Sequence, residues 1–115
     1  MKKQTAGHDL LGEFAPQFAH LNDELLFGEV WSREQQLPAH QRSMITIAAL
    51  ISAGNFEQLS AHLSIGKQNG ISQSEIVEII THLAFYVGWP KAWSAFSLAK
   101  EIYNSSENNL AVTTS

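Results

Sequence analysis

The sequence predicts an all-α bundle of five to six helices, on three observations. Apolar residues recur every three or four positions through most of the chain, the spacing that lines one face of a helix. Capping residues and helix-stopping glycines divide that pattern into segments. No stretch alternates polar and apolar residues as a half-buried strand would. With 115 residues the chain suits one domain. The expected division is a flexible lead over 1–8, a helical domain over 9–104 and a disordered polar tail over 105–115.

The first helical region spans about Asp9 to Phe27, with Leu11, Phe14, Phe18, Leu21 and Leu25 as its stripe. Pro16 lacks an N–H and crowds the preceding turn, so it predicts a kink or two short helices. Gly28 to Leu37 is polar and reads as a connection anchored by Val30 and Trp31. Pro38 fits the first turn of a helix running to Ala53, with Gly54 as its stop. The run Met44 to Ile51 is apolar almost all round, which predicts a central helix covered on most sides.

The next helix runs from about Asn55 to Asn69 on Phe56, Leu59, Leu63 and Gly66, and Asn69-Gly70 ends it. Ser72-Gln73-Ser74-Glu75 has the pattern of a capping box flanked by Ile71 and Ile76. It opens a helix that continues on Ile76, Ile80, Leu83, Ala84 and Val87 to a stop at Gly88. Pro90 opens the last helix, to about Tyr103, with Ala92, Ala95 and Ala99 allowing close approach and Trp93 and Phe96 filling volume.

Composition narrows the functional classes. Seven basic and 11 acidic residues give a formal charge of −4, with no basic stripe, which argues against nucleic acid as a partner. No apolar run is long enough to span a membrane and no signal peptide is evident, so the expected compartment is the cytoplasm. Charged residues are 16% of the chain where about a quarter is usual, which predicts burial of surface in a homo-oligomer. There is no cysteine, so disulfides, thiolate metal sites and thiol chemistry are excluded.

Three pieces then read together: Arg42-Ser43-Met44-Ile45-Thr46-Ile47-Ala48-Ala49-Leu50, Glu57-Gln58-Leu59-Ser60-Ala61-His62, and Tyr86-Val87-Gly88-Trp89-Pro90-Lys91-Ala92. Asn69-Gly70-Ile71-Ser72, Glu75-Ile76 and Glu78-Ile79 lie between the last two. In order and spacing the set resembles the carboxymuconolactone decarboxylase family from roughly Phe18 to Tyr103. The resemblance implies an alkylhydroperoxidase D-like helical fold assembled as a trimer or hexamer. One branch of that family is a cofactor-free decarboxylase that converts γ-carboxymuconolactone to the enol-lactone of β-ketoadipate in aromatic degradation. The other is a peroxidase with a Cys-x-x-Cys pair, a histidine four residues on, and a glutamate on the preceding helix. Here His62 holds the histidine position, Asn55 and Gln58 replace the cysteines, and no acid stands near Ser43, where the glutamate would fall. Peroxidase activity is therefore disfavoured.

The expected function is a cofactor-free lyase acting on a small unsaturated lactone or carboxylic acid. A non-catalytic small-molecule-binding or assembly module on the same fold is the alternative. The candidate catalytic residues are His62, Glu57 and His82. His62 can be a general acid or base, or a boundary histidine bonded to another helix. Glu57 can serve a neighbouring subunit's site, or simply complement the helix dipole. His82 and Tyr86, four apart, can bind a carboxylate or lactone oxygen, or form a boundary pair. Arg42 is a natural carboxylate clamp or a structural tie. Trp89 packs near the site or an interface, and Phe85 faces away from its helix's core stripe, as an oligomer contact would. Glu78 and His82 make a two-ligand set with no second pair on another helix, so no metal is expected.

Overall fold

The computed structural model describes residues 1–104 with their side chains, and beyond Asn104 only the course of the last helix to Thr114. The tail expected over 105–115 lies outside these fully described residues. Six α-helices and one π-helical segment make up the fold, with no strand among the described residues. The chain divides into two compact units, Met1–Arg42 and Ser43–Ser115.

The N-terminal unit contains α1 (Ala6–Leu11), α2 (Pro16–His20) and a π-helical segment, Leu21–Val30. Pro16 occupies the first position of α2, so the proline separates two short helices. The apolar stripe expected here does not form a core. Phe14 is 92% exposed, Phe18 and Leu21 are also exposed, and Leu25 is half-buried. Two physical reasons account for this. Phe14 falls in the turn between helices, and a stripe drawn at 3.6 residues per turn leaves its face once the chain turns π-helical. Trp31 is buried as expected and stacks on Phe27 at 5.6 Å between ring centres, while Val30 is exposed.

Polar contacts hold this unit together. The buried Asp23 carboxylate accepts hydrogen bonds from Gly7 N at 2.9 Å, His8 N at 2.8 Å and Asn22 Nδ2 at 2.8 Å. Asp23 thus satisfies the orphan N–H groups at the start of α1 from a distant element. Desolvation pushes its carboxyl upward, but these hydrogen bonds and the nearby His8 outweigh it and hold the pKa below the ordinary value. Glu24 lies 2.8 Å from His8 Nε2 and 3.2 Å from His20 Nδ1, joining all three elements.

The Ser43–Ser115 unit has an aliphatic core. α3 (Ala39–Ala53) contributes Ile47 and Ile51, and α4 (Phe56–Gln68) contributes Leu59 and Leu63. α5 (Gln73–Val87) contributes Ile76, Ile80 and Ala84, and α6 (Trp89–Thr114) contributes Ala92, Ala95, Ala99 and Tyr103. α6 packs against both α4 and α5, and its alanines permit that approach. Trp93, expected to fill volume, instead points outward, 69% exposed, because small residues already complete this face of α6. Gly66 brings α4 close to α3: a Cβ there would lie 3.0 Å from Ile71 Cδ1 and 3.1 Å from Ile47 Cδ1. Gly70, at φ 94°, turns the chain so that Ile71 N bonds back to Gly66 O at 2.9 Å. Tyr103 Oη then donates to Ile71 O at 2.7 Å, fastening this corner to α6.

Candidate active site

The capping box fixes the register of α5. Ser72 Oγ accepts from Glu75 N at 3.1 Å, and Ser72 N donates to Glu75 Oε1 at 2.9 Å. With Ile76, Ile80 and Ala84 turned to the core, Glu75, Glu78, Ile79 and His82 line the side of α5 that faces α3. There they enclose an open groove of about 540 Å³ with Leu83 and with Met44, Ile45 and Ala48 of α3. The groove explains a departure from expectation. The Met44–Ile51 run is not covered on most sides: Ile47 and Ile51 are sealed, whereas Ile45 is 59% exposed beside the groove.

His82 and Tyr86 do meet, with ring centres 4.9 Å apart and planes at 35°. His82 lines the groove, and Tyr86 extends from it as an exposed ring. Gly88 ends α5 at φ 103°, a conformation that favours glycine. The turn sets Trp89 edge-on to Phe85 at 6.0 Å. Both rings are largely exposed, Phe85 at 78%, so Trp89 belongs to an outward aromatic surface.

His62 stands apart from the groove lining. It lies on α4 beside the sealed Leu59 and Leu63, is half-buried, and its Nδ1 is shielded from solvent. Burial lowers its pKa from the ordinary 6.5, which favours the neutral ring. Asn55 precedes α4 and makes no side-chain cap to it, and Gln58 and Glu57 are exposed in its first turn. Glu57 is placed where a carboxylate suits the helix dipole. Arg42 is half-buried in the N-terminal unit. Its Nε donates to Leu37 O at 3.0 Å and its Nη2 to Arg33 O at 3.1 Å. Two of its five N–H groups therefore tie down the turn that leads into α3.

From the sequence-based set, the structure brings His82 and Tyr86 into contact. The groove residues Met44, Ile45, Ala48, Glu78 and Leu83 were not among the expected site residues. Their signal is the i, i+4 spacing of Glu78 and His82 beside an apolar strip, a pattern that a solvated helix edge also shows. Among the described residues, no three potential metal-ligating side chains gather. No helix of the described residues is long and apolar enough to cross a membrane.

Comparison with known proteins agrees with this architecture. A 4-carboxymuconolactone decarboxylase of Acinetobacter baylyi is 37% identical over 93 residues, covering 81% of this chain and 69% of that protein. A nitrosuccinic acid decarboxylase of Metarhizium robertsii is 31% identical over 81 residues, covering 70% of this chain and 56% of that protein. This chain therefore spans little more than half the length of the fungal relative. The family description "Carboxymuconolactone decarboxylase family" matches residues 16–101, from α2 into α6, and the chain belongs to that family.

Proposed function

We propose that this chain is a decarboxylase of a small acid whose own electron sink stabilises the carbanion left by carbon dioxide. The observation that carries this reading is the 37% identity to a 4-carboxymuconolactone decarboxylase across 81% of the chain. The two named compounds share the required chemistry. A conjugated lactone and a nitro group each take up the electron pair of the breaking carbon–carbon bond onto oxygen. Carbon dioxide departs, and a proton adds to carbon. Such a reaction asks the protein to orient the acid, donate hydrogen bonds to the developing oxyanion and supply the proton.

His62 fits the proton-transfer role. A sheltered imidazole with a lowered pKa is a stronger acid in its protonated form and a ready base in its neutral form. His82 and Tyr86 offer an N–H and an O–H side by side for the oxyanion. Arg42 and Trp89 remain proposals for substrate contact, and Glu57 for service to a neighbouring subunit. Exposed Phe14, Phe85 and Trp93 support assembly with further copies, as a trimer or hexamer, because apolar surface of this kind is ordinarily covered. The cysteine-free chain suits the cytoplasm, where no disulfide is required.

Purified protein incubated with γ-carboxymuconolactone should release carbon dioxide with loss of the conjugated lactone's ultraviolet absorbance. No change at high protein concentration, with this lactone or with nitrosuccinic acid, would overturn the reading. A peroxide assay with a thiol reductant should remain silent.

A further inference from the structure

We infer that the α3–α5 groove is filled by the Phe85 and Trp89 rings of a second copy of this chain, whose own groove takes the same two rings in return. This rests on the assembly reading above and names its contact. Knob and groove share one side of α5. Ile76, Ile80 and Ala84 point to the core, while Glu78, His82 and Phe85 follow at spacings of four and three on the opposite side. The turn at Gly88 then sets Trp89 edge-on to Phe85, with 6.0 Å between ring centres.

The groove is shaped for apolar side chains. Met44, Ile45, Ala48, Ile79 and Leu83 line an open space of about 540 Å³, and Ile45 is 59% exposed beside it. The knob has no cover in a single copy: Phe85, Tyr86 and Trp89 are 78%, 76% and 58% exposed. At the area an aromatic side chain ordinarily buries, these three rings leave roughly 400 Å² open. That is about half of the 800 Å² that each partner gives to an ordinary stable interface, and the groove walls add to it.

Symmetry decides the occupant. Ile79 and Phe85 stand three residues either side of His82, roughly 4.5 Å along the helix in each direction. A twofold axis crossing α5 at His82 therefore runs the second α5 antiparallel to the first. It lays Phe85 of the second copy over Ile79, across the groove from Ile45. Glu78 and Tyr86 stand four residues either side of the same point, and Glu75 and Trp89 seven. Each glutamate thus faces an aromatic ring of the other copy and not a second carboxylate. A foreign partner would have to supply both knob and groove, whereas a second copy already carries them. Such a pair is a building block of a hexamer and is absent from a threefold ring. The His82–Tyr86 pair then lies at the seam, so a ligand held there touches both copies.

The test exploits the absence of cysteine. Ile45→Cys and Phe85→Cys, on differently tagged chains, are co-expressed and treated with a short bismaleimide. The 45–85 product should exceed a 58–85 control, made with Gln58→Cys in the exposed first turn of α4, by about tenfold. Phe85→Glu should weaken association by about tenfold or more in sedimentation. Ile45 and Phe85 are exposed, so these changes spare the core, and helical circular dichroism separates dissociation from unfolding. An assembled wild type that gives no excess of the 45–85 product, or a folded Phe85→Glu that assembles as the wild type does, would overturn this contact and leave assembly to another face. A wild type that sediments as a single copy at high concentration would overturn both the contact and the assembly.

Discussion

The two units of this chain are stabilised in different ways. In Ser43–Ser115, Ile47, Ile51, Leu59, Leu63, Ile76 and Ile80 are sealed from solvent, and most polar contacts sit at helix ends. In Met1–Arg42, Phe14, Phe18 and Leu21 are exposed while a buried aspartate and a histidine–glutamate cluster tie the elements together. Hydrophobic burial is insensitive to pH and is lost when volume is removed. A unit held by a carboxylate responds instead to protonation. Apolar side chains left outside in the N-terminal unit do not stabilise it as an isolated copy, and covering them in an assembly would.

Leu63→Ala is the strongest test of this contrast. It should destabilise the protein by about 2–5 kcal/mol, read from denaturant unfolding, because a sealed cavity opens in the aliphatic core. Phe14→Ser should leave the unfolding free energy of a dilute single copy within about 0.5 kcal/mol, yet shift the assembly toward smaller species on a sizing column. A large stability loss in the single copy would mean that Phe14 has a core role the fold does not give it.

His62→Gln should lower kcat by about a hundredfold if the imidazole moves the proton. With imidazolium as the acid, kcat/KM of the wild type falls as pH rises through a value below 6.5, and the variant loses that limb. The same depressed pKa has a stability consequence. The unfolded chain binds a proton that the folded chain refuses, so stability falls as pH drops from 6.5 toward the folded value. His62→Gln should flatten that slope too, measured by urea titration across pH 5–7 as a working range of about two units.

Gly66→Ala should cost about 1–3 kcal/mol, since the added methyl presses on Ile71 and Ile47, although alanine favours the helix. Asp23→Asn should weaken the N-terminal unit alone, by removing a buried carboxylate that accepts from Gly7 N and His8 N. Its folded carboxyl pKa is depressed, so its contribution is full above the ordinary value of 3.8 and lost as pH falls through the folded value. Hydrogen exchange at Gly7 and His8 amides should speed up by about tenfold in the variant at neutral pH, with core amides of the other unit unchanged.

The sequence was most legible where one local signal settles one local structure. The Ser72–Glu75 box, the stops at Gly54, Gly70 and Gly88, and the stripes on α4 and α5 all stand where the pattern puts them. Legibility failed where the period changed. The π-helical turn over Leu21–Val30 carries no residue type that distinguishes it from an α-helix, and it displaced the stripe assigned to that region. Asp23 was missed because its partners, Gly7 and His8, lie 16 and 15 residues away, beyond any local rule. At the site, His82 and Tyr86 were legible from their i, i+4 spacing. The groove was not, since it depends on how α3 and α5 diverge, and Ile45 looks like core until that gap is known. Arg42 carried two readings from sequence. Its bonds to the Leu37 and Arg33 carbonyls are contacts that neither reading names.

The central claim is that this fold removes carbon dioxide from a self-stabilising acid with His62 moving the proton. The most direct measurement is release of labelled carbon dioxide from carboxyl-labelled γ-carboxymuconolactone by the wild-type protein and His62→Gln. The account predicts enzyme-dependent release by the wild type and a loss of about two orders of magnitude in the variant. Equal release by both proteins would contradict the role of His62, and release by neither would contradict the decarboxylase itself.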